Sequence, residues 1–287
     1  MPSEPSAPPT QPPQPIYCVL PVLANPAYTR AAIADLLAQS VPTRILIVNQ
    51  GVEDAFRLEL ERIAEAHEER ILLWSHQPPL LSLAATWNRA LDCVWACGGT
   101  EALVVNNDVR LHADTVAILS RACADTHALF VSAIGVATEA ETLGWSIHPP
   151  EWSGRGGPDF SCFLIAKACH DRFRFDEGFT PAFCEDLDYH RRLLLAGEGA
   201  RIFSIDLPYL HYGSATLKSV DAARRSAIES AISAGSRAHY RRKWGGEVNA
   251  ETFLNPFGTV VRTDGTATTP YLHAHPPEVP CAQTQDA

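Results

Sequence analysis

Apolar residues come in two rhythms along this chain, and the two alternate. Short continuous aliphatic runs at Tyr17–Leu23, Arg44–Val48 and Ala102–Val105 read as strands buried on both faces. Arg70–Trp74, Phe160–Ile165 and Arg201–Ile205 have the same character. Between them lie segments with the helical period. Thr29–Gln39 gathers Ile33, Leu36 and Leu37 on one face, and Glu53–Glu69 is charged and amphipathic. Leu83–Ala96, Thr115–Ala124 and Glu185–Ala196 also read as helices. Strand and helix in alternation at these lengths predict an α/β fold. Its sheet is expected to be mostly parallel and Rossmann-like, with helices on both faces. No repeat or linker interrupts residues 16–254, so a single domain is expected there. Residues 1–15 hold seven prolines and read as a disordered or polyproline-like leader. Residues 255–287 read as an irregular tail, in which His273 and His275 are expected to be solvated.

Composition narrows the function classes. The 287 residues suffice to bury a core without disulfides or a structural metal. Lys and Arg number 23 against 33 Asp and Glu, a net charge of −10, which argues against general nucleic-acid binding. The longest apolar run, Ile16–Ala24, is broken by Pro21 and falls short of the roughly 18 residues of a membrane span. Eight cysteines form no CxxC pair, and Cys93 with Cys97 lacks the second pair that zinc needs. They read as buried reduced thiols. With no signal peptide in view, a cytoplasmic location is expected. Nothing in the pattern specifies an oligomeric state.

Chemistry concentrates at strand ends. Val104-Val105-Asn106-Asn107-Asp108 is an apolar strand stopping in three polar residues. A carboxylate beyond such an end can hold Mg²⁺ or Mn²⁺, and can equally cap the turn toward Thr115. Further on, Glu185, Asp186 and Asp188 open a helix. Helix capping accounts for one of these carboxylates but not for three. Asp186 and Asp188 point to different faces, so one can face a reaction while the other anchors Arg191 or Arg192. Crowded acids raise one another's pKa, which suits a general base. His211 closes Leu207–Leu210, and Tyr240–Gly246 is a basic cluster that either covers phosphates or ends a helix on a glycine cap. Gly154–Gly157 reads as a flexible loop, because no strand leads directly into it. Trp145, Trp152 and Phe160 could stack a sugar or serve the core.

The order of these motifs resembles the family 2 glycosyltransferases, which have the GT-A fold, over Ile16–Gly246. Val19-Leu20-Pro21-Val22 resembles the family's first strand, and Ile47-Val48-Asn49-Gln50-Gly51 stands where it has V-D-N-G-S. Trp87-Asn88-Arg89-Ala90 is similar to its helical asparagine motif, and Asn106-Asn107-Asp108 to its DxD-type metal site. Phe175-Asp176-Glu177, Phe179, Glu185-Asp186-Leu187-Asp188 and Arg192 match F-D-E-x-F…E-D-x-D…R. His211 and Lys243-Trp244-Gly245-Gly246 complete the series. The resemblance implies an inverting, hexosyltransferase-like enzyme with a nucleoside-diphosphate sugar donor and an acceptor the motifs do not specify. It implies Asp186 as base with Glu185 beside it, and Mn²⁺ or Mg²⁺ at Asp108 with His211. Pro21, Asn49, Gly51, Asn88, Asn106, Asn107 and Lys243 are then expected around the nucleotide sugar. Two residues depart from the pattern. Asn49 replaces an aspartate, so the resemblance no longer implies uridine. Asn106 replaces the first acid of the metal motif, so metal binding is expected to need the diphosphate. Two alternatives stand beside this expectation. One is a degenerate protein that only binds nucleotide sugar. The other is a nucleotidyltransferase, which would need a Gly- and Lys-rich loop where this chain has Leu23–Pro26.

Overall fold

The computed structural model describes residues 14–76, 79–138, 158–219 and 221–258. Most of the leader, Trp145, Trp152, Gly154–Gly157 and most of the tail, with His273 and His275, lie outside the described residues.

The first half is a parallel βαβ array. Strands β1 (Ile16–Val22), β2 (Thr43–Asn49) and β3 (Ile71–Ser75) alternate with helices α1 (Pro26–Leu37), α2 (Asp54–Ala66) and α3 (Leu83–Ala96), and β4 (Glu101–Val105) returns beside β1. The unbroken apolar runs have a simple cause. Cys18, Leu20 and Val22 of β1 enter one core, with α1, α2 and α4 (Thr115–Thr126). Tyr17 and Val19 enter a second core on the opposite face, with α3, α5 (Lys167–Arg172) and α6 (Glu185–Leu195). β2 and β4 divide their residues the same way. Trp87 of α3 anchors the second core, 4.8 Å from the ring of Phe175 and 5.6 Å from that of Phe163. Truncating such a ring to alanine costs about 3–5 kcal/mol.

Beyond β4 the sheet becomes mixed. β5 (Val109–Arg110), β6 (Phe130–Val136), β7 (Cys162–Ala166) and β8 (Ile202–His211) complete the order β3-β2-β1-β4-β7-β6-β8-β5. β7 runs antiparallel to both β4 and β6, β5 runs antiparallel to β8, and β6 lies parallel to β8. The apolar pattern alone shows neither β5 nor β6, and it ends β8 at Ile205 rather than His211. After β8 come α7 (Ala215–Ser219), α8 (Ala222–Ile232), a π turn at Ser233–Arg237 and α9 (Ala238–Trp244). Five of the described cysteines are buried as expected, whereas Cys97 is exposed at the end of α3. Among the described residues, no helix is long and apolar enough to cross a membrane.

Candidate active site

Parallel strands β1, β2 and β4 end on one rim, and polar residues gather there. Past β4, the Asn106 amide donates to the Ser161 carbonyl at 2.9 Å, joining the end of β4 to the start of β7. The Asn107 side-chain amide donates to the Ala24 carbonyl at 2.7 Å and to Thr29 Oγ1 at 2.9 Å. It therefore pins the start of α1, and its own nitrogen is taken up inside the protein. Asp108 is next. The pairing of Val109 with His211 across β5 and β8 sets Asp108 and His211 side by side. His211 Nε2 lies 3.5 Å from Asp108 Oδ1, and the Ala215 amide donates to Asp108 Oδ2 at 3.1 Å. Burial raises the Asp108 pKa, but the contacts with His211 and the Ala215 amide outweigh it and hold the carboxylate below its usual range. Burial pulls His211 down, and Asp108 more than reverses this, so the imidazole rises.

Phe183 (φ 78°) and Cys184 (φ 68°) are both left-handed, and the chain then enters α6. Two such non-glycine residues cost on the order of 1–3 kcal/mol each, and strain of this kind clusters at functional sites. Glu185 is buried, and its Oε2 has no hydrogen-bond partner among the described residues. Burial, then the neighbouring Asp186, push its pKa to about 8. Asp186 is only half-buried and accepts from the Leu187 amide. Burial raises its pKa, and Asp159 and Asp188 add to the rise. Asp188 faces the other way, as expected. Its Oδ2 accepts from Arg192 Nε at 2.8 Å and its Oδ1 from Trp244 Nε1 at 3.1 Å, all of it buried.

Asp159 went unnoticed in the sequence. Its two carboxylate oxygens accept from the Ser161 and Gly135 amides, at 2.9 and 3.0 Å. Its charge adds to the rise of both Asp186 and His211. The available signal was an aspartate two residues before a serine at the mouth of a strand, a local Asx-turn pattern.

Other expected contacts are spent internally. Asn49 Oδ1 accepts from the Gly51 and Val52 amides at 3.0 and 3.1 Å, and its Nδ2 donates to Ser75 Oγ at 3.2 Å. At 2% exposure it builds the turn after β2, in which Gly51 (φ 87°) takes a left-handed conformation that favours glycine. Pro21 lies within β1 opposite Val48, and Asn106 is half-buried beside Asp108. Asn88 is not on this rim surface. It donates to the Phe175 carbonyl at 2.8 Å and to Glu177 Oε1 at 3.0 Å, and it accepts from the Phe175 amide at 2.9 Å. It thus ties α3 to the loop before α6. Lys243, expected at the nucleotide sugar, is 3% exposed and lies between Asp176 and Asp188 instead of facing an open diphosphate site.

No family model matches the chain, and no curated protein matches it. Solved structures do. A mannosyltransferase from Pyrobaculum calidifontis, in complex with GDP-Man and Mn²⁺, superposes with a TM-score of 0.54 at 14% identity, over 71% of this chain and 58% of that one. S. aureus TarS 1-349, in complex with UDP, gives 0.51 at 13% identity, over 83% and 74%. GalNAc-T7, with UDP, GalNAc and Mn²⁺, gives 0.52 at 8% identity, over 68% and 43%. The chain thus spans less than two thirds of the mannosyltransferase and of GalNAc-T7. These likenesses establish the fold: a single α/β domain of the GT-A glycosyltransferase type, with a mixed sheet.

Proposed function

We propose that this protein is a glycosyltransferase of the family 2 kind. It moves a sugar from a nucleoside diphosphate to an acceptor hydroxyl with inversion. One observation supports the reading: past the end of β4, in a fold of the GT-A type, Asp108 Oδ1 and His211 Nε2 lie 3.5 Å apart as a carboxylate–imidazole pair. Asp186 is the base, because it reaches solvent while Glu185 is enclosed and protonated near neutrality. It takes the acceptor's hydroxyl proton as that oxygen bonds to the anomeric carbon and the bond to the diphosphate breaks. A positioned base contributes a factor of about 10² to 10⁴.

The donor set suits a divalent ion. Asp108 and His211 offer an oxygen and a nitrogen 3.5 Å apart, a set that fits Mn²⁺ or Mg²⁺. Among the described residues no third His, Cys, Asp or Glu joins them, so water and the donor's phosphates would have to supply the remaining ligands. When bound, the ion offsets charge on the leaving diphosphate. The mannosyltransferase and GalNAc-T7 were each solved with Mn²⁺, which supports this assignment. The donor is a nucleotide sugar, and the half-buried Pro21, Asn106 and exposed Gly51 line its side of the rim.

The two-donor metal site also suits a protein that binds nucleotide sugar without turning it over. One experiment separates the two. UDP, GDP and their sugars are screened with and without Mn²⁺ by thermal shift, and any donor that raises the melting temperature is then tested for hydrolysis or transfer. Turnover that falls in Asp186→Asn supports the transferase. Metal-dependent binding with no turnover in the wild type leaves the binding protein.

A further inference from the structure

The segment 176–188 carries Glu185 and Asp186, and one arm of the chain grips it at both ends. That arm is α8, the π turn and α9. Lys243 of α9 places Nζ 2.6 Å from Asp176 Oδ2 and 2.7 Å from Asp188 Oδ1. His239 Nε2 reaches the same Asp176 oxygen at 3.0 Å, and Trp244 Nε1 donates to Asp188 Oδ1 at 3.1 Å. In the middle, Gly235 of the π turn lies so close to the Thr180 carbonyl that a Cβ would sit 2.0 Å from its oxygen. Phe179, Cys184, Tyr240 and Trp244 fill the space between as a small separate core. The arm therefore touches the segment at its start, its middle and its end.

The segment needs holding. Phe183 and Cys184 sit in left-handed conformations, which persist only when the surroundings over-determine them. Lys243 is enclosed, with the Phe179 ring 5.7 Å from Nζ. An apolar residue of similar size would avoid the desolvation of a buried cation. What the cation adds is a fixed relation between two carboxylates twelve positions apart, with Asp186 between them. The π turn replaces regular helix at the point where the arm meets Thr180, and such turns are frequent at functional sites.

We infer that Lys243 is a positioning residue: acting through Asp176 and Asp188, it sets the loop that presents Asp186 to the acceptor. This rests on the transferase reading above, and its test keeps the two apart. The full chain is compared with Lys243→Met and Asp176→Asn. Four quantities are measured: hydrolysis of UDP- and GDP-sugars with Mn²⁺, affinity for UDP and GDP, melting temperature, and amide exchange at residues 183–187. Hydrolysis needs no identified acceptor. The expected result is a fall in kcat of about 10- to 100-fold, nucleotide affinity within about twofold of wild type, and faster exchange at 183–187. If Lys243→Met does not fold, Asp176→Asn carries the test, because Asp188 there keeps Lys243, Arg192 and Trp244. Folded variants with wild-type kcat and unchanged exchange overturn the inference. So does a loss of UDP or GDP affinity at constant kcat, which would make Lys243 a diphosphate ligand. A wild type that hydrolyses no donor sinks the transferase reading instead, and the exchange comparison then decides the role of Lys243 by itself.

Discussion

Asp186 and Glu185 are sequence neighbours with opposite surroundings. Asp186 opens to solvent, and Asp186→Asn keeps its shape while removing its basicity. Turnover should fall by about 10² or more, with donor affinity little changed in a binding titration. Because burial, then Asp159 and Asp188, raise Asp186, the acidic limb of the kcat profile should lie above the ordinary carboxylate range. Asp159→Asn should move that limb to lower pH. Glu185 gives a stability prediction. Burial and Asp186 take its pKa from 4.5 to about 8, so across that window the folded chain holds a proton that the unfolded chain has lost. Stability contributed by that proton is present below about pH 4.5 and falls away as pH rises toward 8. Glu185→Gln removes the dependence. The variant should match wild type in chemical denaturation near pH 5 and exceed it by roughly 2–4 kcal/mol near pH 8. Equal slopes of stability against pH in the two proteins would contradict this. Asp188→Asn should lower the melting temperature sharply, since buried Arg192 and Lys243 each lose a charged partner.

At the level of elements, α3 and the loop before α6 depend on one side chain. Asn88 satisfies both the amide and the carbonyl of Phe175, so Asn88→Ala leaves two buried backbone groups unpaired. That should cost about 2–4 kcal/mol, measured by denaturant unfolding. The strands most legible in the sequence were β1, β2 and β4, because helices cover both of their faces and so their central positions form unbroken apolar runs. β6 was missed because Ser132 and Gly135 break its run. Ser132 is nevertheless buried there, bonded to Ser204 at 2.9 Å. The arm α8–α9 left little apolar signal for a different reason. It meets the segment 176–188 through Lys243, His239 and a small apolar cluster, and partners that distant in sequence leave no local periodicity. The Asp108–His211 pair and the acidic helix start were legible as polar clusters because strand ends and helix starts are local features. Asp159 was not, since one of its two partners, the Gly135 amide, is distant in sequence.

For the whole molecule, the proposed metal role of the Asp108–His211 pair implies that nucleotide and metal bind jointly. Mn²⁺ with UDP or GDP should raise the melting temperature more than either alone. Asp108→Ala should remove that joint shift while leaving a folded protein, as checked by circular dichroism. A full shift in Asp108→Ala would place the ion elsewhere. The contacts of Lys243 also bear on how the protein is made. During synthesis β1, β2, β4, Asp108, Asp186 and finally His211 all leave the ribosome before residue 243 does. A growing chain thus carries Asp176 and Asp188 for many residues before the cation that bridges them has emerged. On the proposed reading, a polypeptide halted short of Lys243 would hold Asp186 in a loop that nothing yet bridges. Products that end between His211 and Lys243 should therefore turn over nucleotide sugars at least about 10- to 100-fold more slowly than the full chain.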